Sequence, residues 1–576
     1  MDESPGLTLL IAIAALYFLR KIYIRLRLSR AKHPSLRGHA KWSRRMAKLV
    51  AFFEYREDKF YGCDGAPADV QESRRQGLDK LSKNALNAAP QTSDFSTELE
   101  DSISDVRFTR AYRVPFPFRN CVPKALTLSP IVTATKGVKM QDMDGNWRID
   151  LSGSYGVNVF GYDFYKECMA AGMEKVKDVG PVLGPYHPVI KENVAKLKTI
   201  SGLDEVSFHM SGTEAVMQAV RLARYHTGRS HLVRLCGAYH GWWDGVQPGV
   251  GNQRKVNDVY TLNDLSPNTL KVLETRNDIA CILINPMQAF NPNADAASDT
   301  ALIASDRAVN FDKARYTEWL RQIRDICTRR GIVLIFDEVF TGFRLSYRGA
   351  QGYYGIQADM VTYGKTLGGG YPIGALCGRA DLMKRYKDQQ PANPSLARGT
   401  FNSHPYVLAA MNEFLHRIEA PEIQAQYETI ETLWNQRVEK LNATLAEHKL
   451  PVRLANMHTV LTTLYTVPSR FNWMFQFYLR DEGVELAWIG TGRMIMSFNF
   501  SDDDFAEVID CFVRAATRMQ ADGWWWQSPN LNNKAIKREF LRDMIVARIP
   551  ALENHFQPGL LPSNQPKGQT SNGPSV

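Results

Sequence analysis

GIVLIFDEV (residues 331–339), followed by VTYGKTLGGG (361–370), decides how this chain folds. The first is a continuous apolar run that ends on Asp337. The second is a shorter apolar run that ends on Lys365 and a glycine stretch, 28 residues further on. Uninterrupted apolar strands suit a parallel sheet covered on both faces. In such sheets the carboxyl ends of the strands open onto the crevice where ligands bind, so Asp337 and Lys365 are expected at one edge. Taken singly, an Asp at a strand end is a cap and a Lys is a surface cation; the flanking chain has to decide.

Working outward, apolar runs at Val206–Met210, His231–Leu235, Ala280–Ile284, Ile332–Phe336 and Met360–Tyr363 alternate with helical stretches such as Glu214–Thr227, closed by Gly228. That alternation predicts an α/β fold. Upstream, GVKMQDMDGNWRIDLSG reads as a β-hairpin about Asp144-Gly145. Downstream, helical patterns mix with short strands (LTTLYTV, MIMSFNF) and predict a smaller α+β domain. The expected organisation is an N-terminal helix (1–30), a polar, partly helical spacer (31–105), an entry segment (106–165), a large domain (166–403), a small domain (404–555) and a disordered tail (556–576) rich in Pro, Gly, Ser and Asn.

Charge is unevenly placed. The formal net charge is +10, yet residues 1–50 alone hold 11 Lys/Arg against 2 Asp/Glu, leaving 59 basic and 58 acidic groups elsewhere. A basic nucleic-acid face on the main domain is therefore not expected. The 8 cysteines are scattered, with no CxxC pair and no His cluster at ligand spacing, so neither a structural disulfide framework nor a metal site is predicted. Leu7–Leu19 (LTLLIAIAALYFL) is an uncharged apolar run with Asp2 and Glu3 before it and Arg20, Lys21, Arg25, Arg27 and Arg30 after it. These flanks suggest a single uncleaved membrane-anchor helix with the catalytic part on the cytosolic side, the basic collar lying against anionic headgroups.

Three further elements change the reading of Lys365 and Asp337. The strand EVSFHM runs into SGTEAVMQAVRLARYHTGR, which puts Ser211, Gly212 and Thr213 at a helix N-terminus, where backbone amides, hydroxyls and the helix dipole hold a phosphate. CGAYHGWWDG offers Tyr239 and His240 after a strand, placed to stack on a flat ring. RGTFNSHP offers the Thr400 hydroxyl. A phosphate cradle, an aromatic, a strand-end carboxylate and a strand-end lysine together point to pyridoxal 5'-phosphate (PLP), which needs an amine to bond it and a carboxylate to hold its pyridine nitrogen protonated.

DGNWRIDLSGSYGVNVFG, SGTEAVMQAVRLARYHTGR, GAYHG, LIFDEVFTGFR, GAQGYYGIQADMVTYGKTLGGGYPIGALCGR and RGTFNSHP, in that order over about residues 130–410, resemble the class III PLP-dependent aminotransferases. Within that family they look most like the glutamate-1-semialdehyde aminomutases. The resemblance implies PLP fold type I, with a mainly parallel seven-stranded sheet, and a homodimer. It implies that Lys365 bonds the cofactor and moves the proton, and that Asp337 pairs the pyridinium. It also implies that Val339 packs behind the ring, Tyr239 stacks above it, and Ser211, Gly212 and Thr213 hold the phosphate together with Thr400 of the neighbouring subunit. Gln288 matches the family pattern in which a Gln approaches the cofactor's phenolic oxygen.

Departures from the pattern bear on the substrate. Asn285-Pro286 stands where the family has Glu-Pro, and Tyr155 where the aminomutases have Trp. RVPFPFRNCVPK does not match the stretch whose basic residue takes the substrate carboxylate, and leaves Arg113 and Arg119 as candidates. The insertion Phe290–Phe311 is foreign to the aminomutases. The expectation is an aminotransferase acting on an aldehyde or ketone, hydrophobic or carried on an acyl carrier, at a membrane. The alternatives are an intramolecular aminomutase and a non-catalytic membrane-tethered scaffold.

Overall fold

The structure is a computed structural model that describes residues 5–31, 45, 47–247, 249–254, 256–286, 311–487 and 492–551. Gln288, almost all of the 290–311 insertion and the 556–576 tail lie outside these residues.

The chain begins with helix α1 (Pro5–Ala31). Its apolar stretch is exposed from Leu9 to Leu19, while Ile24 packs partly against the core. The helix exists as expected, but the spanning anchor does not hold: among the described residues no helix is long and apolar enough to cross a membrane. The physical reason is in the sequence. Arg20 and Lys21 interrupt the apolar run after 13 residues, short of the roughly 20 a bilayer core requires.

The segment read as a spacer is packed. Helix α2 (Ala68–Ala88) buries Leu78 and Leu81 in the main core, and Phe60 stacks edge-on with Phe471 of the small domain at 5.7 Å. The anchor is Arg74, fully buried. It donates to Asp64 Oδ1 and Oδ2 at 2.8 and 2.7 Å, to Tyr61 O at 2.6 Å and to Gly523 O at 2.9 Å, and its guanidinium lies 4.7 Å from the Phe471 ring. Removing one partner of a buried, hydrogen-bonded ion pair costs about 3–5 kcal/mol. Arg74→Ala is therefore expected to lower unfolding free energy by about that amount in urea titration, and Arg75→Ala, whose side chain is half-exposed, by less than about 1 kcal/mol.

The hairpin forms where expected. Strands β1 (Val132–Lys136), β2 (Lys139–Asp142) and β3 (Trp147–Asp150) are antiparallel neighbours. The main sheet has seven strands: β4 (Glu205–His209), β5 (His231–Leu235), β6 (Val259–Leu262), β7 (Ile279–Ile284), β8 (Val333–Asp337), β9 (Met360–Gly364) and β10 (Gly374–Gly378). Their spatial order is β4-β10-β9-β8-β7-β5-β6, with β10 antiparallel to both neighbours and β6 through β9 joined by parallel pairings. Strands β7 to β10 are buried throughout, which is why β7 and β8 read as nearly unbroken apolar runs. Helix α3 (Gly212–Thr227) packs across the sheet on Val216, Ala219, Val220 and Ala223. The small domain carries an antiparallel sheet of β11 (Val452–Met457), β12 (Val460–Tyr465) and Arg493–Ile495, and the described chain closes with helix α4 (Asn533–Arg548).

Candidate active site

Strands β8 and β9 are parallel neighbours in register, Asp337 opposite Thr362, so Asp337 and Lys365 emerge at the same edge of the sheet. Asp337 is almost wholly buried. Its Oδ1 accepts from Val339 N at 3.1 Å and Thr362 Oγ1 at 3.3 Å, while Oδ2 meets His240 Nδ1 at 2.8 Å. A carboxylate only accepts, so the His240 proton sits on Nδ1. Burial lowers the His240 pKa against the pull of Asp337, which favours this neutral tautomer. His240 Nε2 is buried with no hydrogen-bond partner among the described residues. The ring expected to stack is thus tucked beneath the site, holding Asp337, while Tyr239 is left largely open at its surface.

Lys365 follows β9 in the left-handed region, at φ 48°. Non-glycine residues pay for that conformation. Here Ser154 (φ 44°) and Tyr155 (φ 57°), in the turn that packs on the lysine, share it. A Cβ at Gly156 would stand 2.5 Å from the Phe340 ring and 3.5 Å from Lys365 Cδ, so only glycine lets this turn close over the lysine stem. Phe340 lines the other side, its centroid 5.3 Å from Lys365 Nζ, and the Tyr165 hydroxyl meets Thr366 Oγ1 at 2.5 Å. Burial pushes the Lys365 ammonium below the ordinary lysine range. Asp337 opposes the shift and Arg344 adds to it.

Ser211, Gly212 and Thr213 lie at the N-terminus of α3. Ser211 caps α3, its Oγ accepting from Glu214 N at 3.3 Å, which leaves the first-turn amides aimed outward. Thr213 lies under the Tyr239–His240 loop, since a Cβ at Gly241 would fall 2.3 Å from Thr213 Oγ1. Val339 wedges between α3 and β9, 2.6 Å from a Cβ at Gly212 and 3.2 Å from one at Gly364. Thr400 is exposed; its neighbour Gly399 lies against Glu214 of α3's first turn.

Sequence reasoning missed two buried charges that shape the site. Arg344, the last residue of LIFDEVFTGFR, donates to Thr459 Oγ1 at 2.7 Å and Met496 O at 2.8 Å, tying the site to the small domain. Glu338 accepts from Ala350 N at 2.6 Å and Gln351 N at 3.2 Å, and burial pushes its carboxyl up to about 7. Both stand beside Asp337 in a stretch already singled out. An apolar strand signal says nothing of which following charges turn inward. Of the two arginines near the N-terminus, Arg119 sits over the exposed Tyr112 ring. Arg113 is buried beside Tyr155, Arg480 and Glu485, with Nε and Nη1 lacking hydrogen-bond partners among the described residues, and burial pushes its pKa down to about 9.

A seven-stranded mixed sheet with a lysine, a carboxylate and a helix N-terminus at one edge has the architecture of PLP fold type I. The chain belongs to the class III aminotransferase family: the family model described as aminotransferase class-III matches residues 123–516. Among curated relatives, the glutamate-1-semialdehyde 2,1-aminomutase of Pelodictyon phaeoclathratiforme is 30% identical over 413 residues, covering 67% of this chain and 90% of its own. A transaminase solved with PLP bound superposes at TM-score 0.57 and 25% identity, covering 69% of this chain and 92% of that one. A glutamate-1-semialdehyde aminomutase of Pseudomonas aeruginosa PAO1 gives 0.61 at 19% identity, covering 78% and 99%, which bears on fold alone. The protein is a class III PLP enzyme, aminotransferase or aminomutase.

The residues present fit that cofactor. The sheet edge offers a buried amine, a buried carboxylate with one oxygen fixed by His240, an open aromatic and a capped helix N-terminus. The glycines at 212, 241 and 364 let these segments approach to distances no larger residue would permit.

Proposed function

We propose that this enzyme transfers an amino group from an amino-acid donor to a separate carbonyl acceptor, an aldehyde or ketone. The observation that carries the chemistry is the parallel register that sets Asp337 and Lys365 side by side at the sheet edge, with α3 directed at the same place. PLP, when bound, supplies an electron sink for the substrate carbon. Lys365 bonds it and then, as a buried amine of lowered pKa, moves the proton at Nζ. Asp337, oriented by His240, holds the pyridine nitrogen in its charged form. Ser211, Gly212 and Thr213 hold the phosphate dianion at the helix N-terminus, joined by Thr400 of a second subunit; the exposure of Thr400 in the single chain supports a homodimer. Val339 and Tyr239 would hold the ring between them.

Tyr155, which stands where the aminomutases have Trp, and the missing carboxylate stretch at RVPFPFRNCVPK support an external acceptor over rearrangement of one substrate. Tyr155, Tyr239 and Phe340 give the site aromatic surface suited to an apolar carbonyl. The second reading, an aminomutase, is favoured by the 30% identity to that enzyme. Supplying glutamate 1-semialdehyde alone, then an amino acid with medium-chain aldehydes, separates the two. Stoichiometric consumption of the amino acid supports transfer, and efficient turnover of the semialdehyde alone contradicts it.

In this reading Arg113 takes the carboxylate of the amino-acid donor. A charge-assisted, two-pronged hydrogen bond contributes about 1.5–3 kcal/mol. Arg113→Met is expected to raise KM for amino-acid donors by about tenfold or more while leaving KM for a carboxylate-free primary amine unchanged; equal loss on both donors would mean Arg113 only supports the fold.

A further inference from the structure

We propose that the face formed by α4, Arg45 and residues 47–53 is a peripheral docking surface for an anionic lipid bilayer. On α4, Lys534, Arg538, Leu541, Ile545 and Arg548 recur at spacings of three and four, so they share one helix face, and all five are exposed. Leu541 is 53% exposed and lies amid cations. The opposite face explains this arrangement. Ile536 is buried, Phe540 packs on Phe53 at 5.7 Å between centroids, and both acidic residues of the helix are engaged by Arg470 or Tyr55. Glu539 pairs with the buried Arg470, and Asp543 accepts from the Tyr55 hydroxyl at 2.7 Å with Arg470 3.7 Å away. With Glu539 paired to Arg470, the stripe from Lys534 to Arg548 carries only positive charge.

The second strip adjoins the first, because Arg548 Nη1 donates to Leu49 O at 3.3 Å. Leu49, Val50 and Phe52 are exposed there, Phe52 to 68%, and Arg45 and Lys48 flank them. Exposed apolar groups clustered within a few residues mark a candidate interaction site. Apolar side chains interleaved with Lys and Arg match an interfacial helix, whose apolar groups enter the acyl boundary while the cations meet headgroups. A second copy of the chain fits less well, since it would set these cations against one another. The surface is separate from the active site and does not depend on which substrate is used.

Flotation of the full chain with vesicles tests this, using phosphatidylcholine alone and phosphatidylcholine with roughly one part in three of phosphatidylserine. The protein is expected to float with the anionic vesicles. Lys534→Glu/Arg538→Glu and, independently, Leu541→Gln/Ile545→Gln are each expected to lower the bound fraction about tenfold without changing amine transfer between soluble substrates or the mass in solution. Two results would overturn the proposal on the vesicle side: equal binding to both vesicle types, or undiminished binding of the two variants, which would assign lipid contact to the exposed α1 alone. A change in oligomeric mass in place of vesicle binding would assign the face to a second copy and overturn it equally.

Discussion

Replacing Lys365 by alanine is expected to abolish amine transfer, with kcat falling by roughly four orders of magnitude or more. The size of the loss follows from the lysine doing two jobs at one atom: it bonds the cofactor, and it is the buried base whose proton must move. Among the described residues no second amine acts at this position. Among the charged groups around Lys365, Asp337 is a carboxylate and Arg344 is committed to Thr459 and Met496. The fold should survive the change, because among the described residues no hydrogen bond from the Lys365 side chain ties two elements together, and the turn on it is closed by Gly156. Unchanged circular dichroism with lost turnover is the expected pair of results; retained turnover would move the catalytic amine elsewhere.

The second large effect belongs to Asp337. Asp337→Asn keeps the shape and can still accept from Val339 N, but it removes the charge facing the pyridine nitrogen. Loss of a preorganised electrostatic partner costs about two to three orders of magnitude in kcat. The same change has a separate signature in the cofactor-free protein. Burial lowers the Lys365 pKa, Asp337 raises it and Arg344 lowers it. Removing Asp337 takes away the one raising influence, so the amine should lose its proton at a still lower pH in the variant. Measuring the pH dependence of acetylation at Lys365 by mass spectrometry reads this directly. An upward shift would mean that Asp337 does not act on the lysine as the geometry requires.

The contrast between what could be read from the residues and what could not is physical. Strands β5, β7, β8 and β9 announced themselves because both faces of each are largely covered, so most positions are apolar. The antiparallel β10 did not, because GALCG is made of small residues that look like a continuation of the glycine run. Its smallness is imposed from outside: a Cβ at Gly374 would fall 2.0 Å from Ser211 O. Strand β6, only four residues and half-exposed at its start, carried too little pattern to register. The polar texture of the segment before Val106 suggested a spacer, yet Arg74 is one of its most buried residues, since its charge is satisfied within the fold and not by water. In α1 the apolar run was read correctly as a helix and overextended into a membrane span; Arg20 and Lys21 set the limit.

At the site, residue types were more informative than roles. Asp337, Lys365, Ser211, Thr213 and Val339 converge on one sheet edge, as their strand ends implied. His240 was grouped with Tyr239 as a stacking residue because the two are adjacent, but successive residues in a loop need not face the same way. One is exposed at the mouth and the other is buried against Asp337. Arg344 and Glu338 were visible only as letters within a matched motif, because an inward charge is a property of packing and leaves no periodic trace.

The central claim is that one lysine, at position 365, bonds PLP. Reduction of the holoenzyme with borohydride followed by peptide mapping tests it most directly. The phosphopyridoxyl mass should be found on the peptide containing Lys365 and be lost when an amino donor is added before reduction; the label on any other lysine, or no covalent label at all, would contradict the account.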